Sequence, residues 1–175
     1  GLGGRTIGKL GATAVLMGGP DILTSLASGA IDAAEWICPV ADLGLGMHQA
    51  AKFYYGPGWH EPSTLLDLSI DLKEWEGLDA DTQALMMEMA KAFNVDVFSR
   101  FQALNGPALG KLLNEHGVQL KTFPDELLIA LGNAAGEVME ERGSINSQTK
   151  AICNHLLSFR KNIMDWSTKG ESEFA

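Results

Sequence analysis

The chain has 175 residues, 46% of them hydrophobic and 20% charged, enough for one good core or for part of a larger two-lobed protein. Thirteen basic against 22 acidic residues give a net charge of -9, with Lys and Arg scattered, so a phosphate backbone is repelled and nucleic acid is excluded as a partner. No apolar run approaches the length that spans a bilayer, and the composition is that of a soluble, folded chain.

In chain order, residues 5–11 read as a short helix stopped by Gly11, and ATAVLM as a buried strand closed by Gly18, Gly19 and Pro20. Pro20 opens a helix through DILTSLASG, with Ile22, Leu23 and Leu26 on one face and Gly29 as its stop. IDAAEW follows as a second short strand. Helices and strands alternating through short connections are the grammar of an α/β sheet.

ADLGLGMHQAAKFYY reads as a further helix, FYYGPGWHEPS as a loop around Gly56-Pro57-Gly58, and LLDLSIDL, which alternates with period two, as a half-buried strand. Asp79 caps a long helix with Leu85, Met89, Phe93, Val97 and Phe101 spaced four apart, which Gly106-Pro107 kinks or ends. VQLKTF is a brief strand. Pro124 then starts a helix whose Asp125 and Glu126 suit its dipole. The last helix stripes Ile152, Leu156, Phe159 and Ile163 ahead of Trp166, and the polar tail STKGESEFA frays.

Spacing removes several enzyme classes. Cys38 and Cys153 form no C-x-x-C pair, and free thiols are favoured over a disulfide between them. His60-Glu61 lacks the second histidine of H-E-x-x-H, and no G-x-S-x-G elbow occurs. His48, His116 and His155 fall on or at the ends of helices, in surface or capping roles. Two residues stand out by context: Glu61, held in a stiff loop between Trp59-His60 and Pro62, and Trp36, next to Glu35 at a strand end. Their plainer readings are a solvated loop carboxylate and a core aromatic.

The ordered set GLGG…KLGA, IDA, AEW-x-x-P, KFYYGPGW-x-E and the late FRK with a following Trp resembles the solute-binding proteins of tripartite ATP-independent periplasmic (TRAP) transporters. More narrowly, it is similar to the branch that binds 2-oxo acids such as pyruvate and lactate-like monocarboxylates. The likeness runs over residues 1–167; AEW and PGW-x-E in this order carry most of its specificity.

The resemblance implies a fold and a role. The fold is α/β, periplasmic-binding-protein-like and two-lobed, here only its C-terminal portion with long helices; the N-terminal half is absent. Residues 1–38 belong to the second lobe, and 39–78 return with a strand to the first. Residues 79–167 bridge and pack on the lobes, and 168–175 are a polar tail. The role is that of an extracytoplasmic receptor, periplasmic and not an enzyme, whose leader is not in this chain. It hands a small organic acid anion to the membrane permease subunits, and a homodimer is possible. A sodium or calcium ion bridges protein and substrate carboxylate. Glu61 is implied as the metal's carboxylate ligand; Trp36 offers the metal its backbone carbonyl and the ligand its ring, with Glu35 a neighbour of the site. The ligand-binding arginine and a second metal ligand, a glutamine, belong to the part preceding Gly1, so this chain alone binds weakly or not at all. The competing reading is a stand-alone helical interaction module, and a third is a metal-assisted lyase or hydrolase using His60 and Glu61.

Overall fold

The computed structural model describes residues 1–59, 61 and 67–172. They fall into two compact units: Gly1–Leu16 with Phe123–Ala175, and Met17–Thr122.

The first unit holds α1 (Leu2–Lys9), here earlier than the 5–11 expected because the chain turns at Leu10 and Gly11, the latter with φ of 92°. α6 (Asp125–Gly143) packs against α1, and α7 (Ser147–Ser167) packs against α6. Pro124 is the N-cap of α6, with Asp125 and Glu126 in its first turn as the dipole favours. Buried Leu131, Ala134 and Val138 form one face of α6. Lys9 at the end of α1 reaches Glu141 at 2.7 Å and Glu137 at 3.0 Å. Asn146 caps α7 in a reciprocal box with Thr149. The expected stripe of α7 is exposed at Ile152, Leu156, Phe159 and Ile163. The tail does not fray at once: Thr168–Ser172 make a π-helical turn, and 173–175 lie outside the described residues.

The second unit begins with α2 (Gly19–Ser28), closed by Gly29 in the left-handed conformation at φ 72°. It continues with α3 (Pro39–Gly44), a 3-10 turn at Met47–Gln49, β1 (Phe53–Gly56) and α4 (Leu72–Glu76). The long helix α5 (Ala80–Asn114) and β2 (Gln119–Thr122) complete it. Asp79 caps α5, accepting from the Thr82 amide at 2.9 Å. Pro107 lies inside α5 without ending it. β1 and β2 pair in parallel, Phe53 opposite Gln119 and Gly56 opposite Thr122. A parallel pair needs a long crossover, and α4 and α5 supply it.

Several sequence expectations fail here for identifiable reasons. ATAVLM and IDAAEW have strand composition but take no regular secondary structure. Neither has a strand beside it among the described residues, and Leu16 is 95% exposed. The helix expected over residues 41–55 breaks at Gly44 and at Gly46, whose φ is 74°, so FYYG is free to become β1. Of LLDLSIDL, Leu65 and Leu66 lie outside the described residues, and 67–70 are exposed and irregular. Asp71 then accepts from the amides of Lys73 and Glu74 to cap α4.

Candidate functional site

Trp36 lies in the irregular stretch before α3. Its ring packs on the start of α2: a Cβ added to the buried Gly19 would stand 2.5 Å from Trp36 Cη2 and 2.9 Å from Cζ2. Only a glycine admits so close an approach. The Trp36 carbonyl accepts no backbone hydrogen bond among the described residues, since neither helix nor ladder reaches it. It is therefore an oxygen donor without a structural duty. Glu35 beside it is exposed.

Glu61 is exposed in the loop after β1, which leaves the strand through a cis Gly56-Pro57 peptide. His60 and Pro62 lie outside the described residues, so the expected stiff setting of Glu61 is described at Trp59 and Glu61 alone. Trp36 and Glu61 thus come from two segments of the same unit that flank the α3–β1 stretch.

A bond spans that stretch. Asp42 of α3, only 6% exposed, accepts the Tyr54 hydroxyl of β1 at 2.5 Å. Burial pushes the Asp42 carboxyl above the usual carboxylate range, against the pull of the Tyr54 hydroxyl and the nearby Ile37 amide; the Glu35 charge adds to the rise. Burial and the Asp42 charge raise Tyr54 well beyond the ordinary phenol range. Asp42 Oδ1 has no hydrogen-bond partner among the described residues. α3 is itself tied to α5, where Asn105 Oδ1 accepts the Val40 amide at 3.2 Å. Sequence reasoning missed this pair. Asp42 sits in an otherwise apolar short helix and Tyr54 in an aromatic run, and only their common burial joins them.

His48 also departs from a surface role. Its ring is half-buried and stacked on His116, centroids 3.9 Å apart, and its Nδ1 is buried without a partner among the described residues. Burial first, then the His116 and Lys52 charges, lower its pKa. His155 is exposed on α7 as expected, and Cys38 and Cys153 are free thiols.

No group of three or more His, Cys, Asp or Glu side chains is arranged to hold a metal among the described residues. What the two segments present instead is a carboxylate and a peptide carbonyl. These are hard oxygen donors, which fit sodium or calcium as part of a larger oxygen shell and fit zinc or copper poorly. Two shallow apolar grooves among the described residues, one beside Ile152, Leu156 and Phe159 on α7 and one beside Leu68, Ile70 and Trp75, are not lined by Trp36 or Glu61.

The fold and these donors meet a family. The DctP model, Bacterial extracellular solute-binding protein, family 7, matches residues 1–144, and the chain belongs to that family. Among curated relatives it is 34% identical over 174 residues to the Monocarboxylate 2-oxoacid-binding periplasmic protein of Nostoc sp., covering 99% of this chain and 48% of that one. Two solved structures are similar over 99% of this chain and 53% of their own. One is a TRAP periplasmic solute binding protein from Colwellia psychrerythraea with bound calcium and pyruvate, at 30% identity and a TM-score of 0.91. The other is a TRAP periplasmic solute binding protein from Pseudoalteromonas atlantica with bound sodium and pyruvate, at 28% identity and a TM-score of 0.92. The chain spans about half the length of these relatives. The TRAP family and the two-lobed receptor fold expected from the motifs are therefore those of this chain, present as a part of that fold.

Proposed function

We propose that the chain is the C-terminal part of a periplasmic TRAP receptor for a small 2-oxo acid or lactate-like monocarboxylate, held through a sodium or calcium ion. In this reading Glu61 supplies a carboxylate to the cation and Trp36 its backbone carbonyl. Part of the Trp36 ring faces the ligand, and Glu35 shapes the field nearby. The observation that carries the reading is the unclaimed Trp36 carbonyl, in a segment pinned by Gly19, on a chain similar throughout to pyruvate-bound proteins.

When bound, the cation supplies positive charge between two carboxylates. Without it, Glu61 and an anionic substrate repel across a cleft of low dielectric, in a chain already carrying a net charge of -9. Binding of this kind is reversible capture and delivery to the permease subunits, with no covalent chemistry, so the receptor is not an enzyme. Residues 1–38 are assigned to the second lobe, 39–78 to the return into the first, and 79–167 to the helices that bridge and pack on both. The exposed apolar positions of α5 and of residues 12–17 suit surfaces that another part of the receptor covers.

Glu61→Gln removes the charged donor while keeping its size. In the full-length receptor this variant should bind calcium at least about tenfold more weakly, a loss of about 1.4 kcal/mol, with an unchanged thermal midpoint in the absence of cation. Calcium affinity equal to that of the unaltered protein would remove Glu61 from the site.

A further inference from the structure

The 3-10 turn and the chain leaving α5 meet through two imidazoles. His48 and His116 stack with centroids 3.9 Å apart and planes 29° from parallel, a contact that two uncharged rings favour. Each ring is presented by backbone that is fixed locally. The turn is closed by the Gln49 and Ala50 amides, which donate to the Gly46 and Met47 carbonyls at 2.9 and 3.0 Å. On the other side the His116 amide donates to the Lys111 carbonyl at 3.2 Å, and the Val118 amide to the Leu112 carbonyl at 3.0 Å, through Gly117 at φ 66°. Just past the stack the Gln119 amide donates to the Lys52 carbonyl at 2.9 Å, and the β1–β2 ladder begins. The stack thus sits at the entrance of the ladder, between the two segments that feed it.

This contact suits neutral rings and not charged ones. His48 Nδ1 is buried with no hydrogen-bond partner among the described residues, so the charged ring would bury an N–H with nothing to accept it. A first charge on the exposed His116 ring leaves a cation over a neutral ring, which is tolerated. A second charge sets two like charges 3.9 Å apart, and they repel. The titratable groups that bear on His48 are His116 and Lys52, neither of which can neutralise it. α3, which packs on the turn, carries Asp42, and that carboxylate is taken by Tyr54. Lys111 and Glu115 flank His116, and Lys121 follows on β2. Once the stack opens, both rings reach water and take protons near the ordinary histidine value. The advantage of the closed form is therefore full above that value and is lost as pH falls below it.

We propose that His48 and His116 form an acid-sensitive clasp at the entrance of the β1–β2 ladder: it is closed while the rings are neutral and opens when both are charged. Opening loosens the turn at 47–52 and the Gln119–Lys52 bond while the rest of the fold stays in place. The two rings titrate as one coupled unit. The clasp is independent of the reading of Trp36 and Glu61 as cation ligands.

Amide hydrogen exchange in the full-length receptor, compared between about pH 7.5 and about pH 5, tests it. The protection factor at Gln119, in which the intrinsic pH dependence of exchange is divided out, should fall at least about tenfold in acid. Protection at Val138, on the buried face of α6, should stay within about threefold. His116→Phe keeps a ring on His48 and removes the second charge, so its Gln119 protection should change less than about threefold over the same range. In that variant the His48 ring resonance should also titrate at higher pH than in the unaltered receptor, a signature that a purely structural role would not move. His48→Phe removes the buried nitrogen from the other side and should be equally insensitive to acid. Undiminished protection at Gln119 in the unaltered receptor, or the same fall in both phenylalanine variants, would overturn the clasp. An equal loss at Val138 would overturn it as well, since the whole fold would then be opening, and so would an unmoved His48 titration in His116→Phe.

Discussion

At the scale of single residues, the chain near the site is governed by close contacts that tolerate little change. Gly19→Ala places a methyl group 2.5 Å from the Trp36 ring, so the ring must move; overpacking of this kind costs about 1–3 kcal/mol. A lowered thermal midpoint together with weaker calcium binding is expected, and a variant as stable as the parent would show that the ring has room to retreat. Asp42 has a pH signature. Its folded-state pKa is raised, so the contribution of its protonated form is fully present below the ordinary aspartate value and is lost as pH rises through the raised one. The groups that bear on it are Tyr54, the Ile37 amide and Glu35; Cys38 acts on Tyr54 in turn. Asp42→Asn should therefore melt higher than the parent at pH 7, with the gain fading as the pH falls toward 4. A difference that stays constant with pH would contradict the burial argument. None of this was visible in the sequence, where Asp42 is one acid among 22. Trp36 and Glu61 were singled out by the spacing of AEW and PGW-x-E, and their part in a cation site is the reading proposed above.

At the scale of elements, signals written in local chemistry were legible and those that depend on neighbours were not. The Asp79 cap, the Gly29 stop and the Pro124 start each rest on one residue's own geometry, and each falls where expected. The strands expected at ATAVLM and IDAAEW depend on pairing, and no strand among the described residues pairs with them; composition alone cannot supply a ladder. Of the two outcomes expected at Gly106-Pro107, a kink or an end, the end is not taken, and α5 runs on through Pro107. The Asp79 cap can be weighed directly: Asp79→Ala should destabilise the second unit, read as a lower chemical-denaturation midpoint. No change would mean that the N-terminus of α5 is held by packing instead. The stacked His48 and His116 lie in the 3-10 turn and ahead of β2. The lowered pKa of His48 means that its contribution to stability is present above the ordinary histidine value and lost as pH falls below it.

At the scale of the whole molecule, the exposed apolar residues of α5 and α7 and the unpaired stretches near the start of the chain are those of a part of a larger fold. That agrees with a chain spanning about half the length of its relatives. Fold class and family were legible because motifs survive in a partial chain. The cleft was not, because a cleft between lobes needs both. If the substrate carboxylate is met chiefly by groups outside these 175 residues, the isolated chain should bind pyruvate more weakly than the full-length receptor by on the order of 2–5 kcal/mol. The most direct measurement is a calorimetric titration of pyruvate into the full-length receptor, once with calcium and once with the cation chelated in a potassium buffer. The account predicts binding with calcium and its loss on chelation. Pyruvate binding of equal affinity in both conditions would contradict the cation-bridged site on which the account rests.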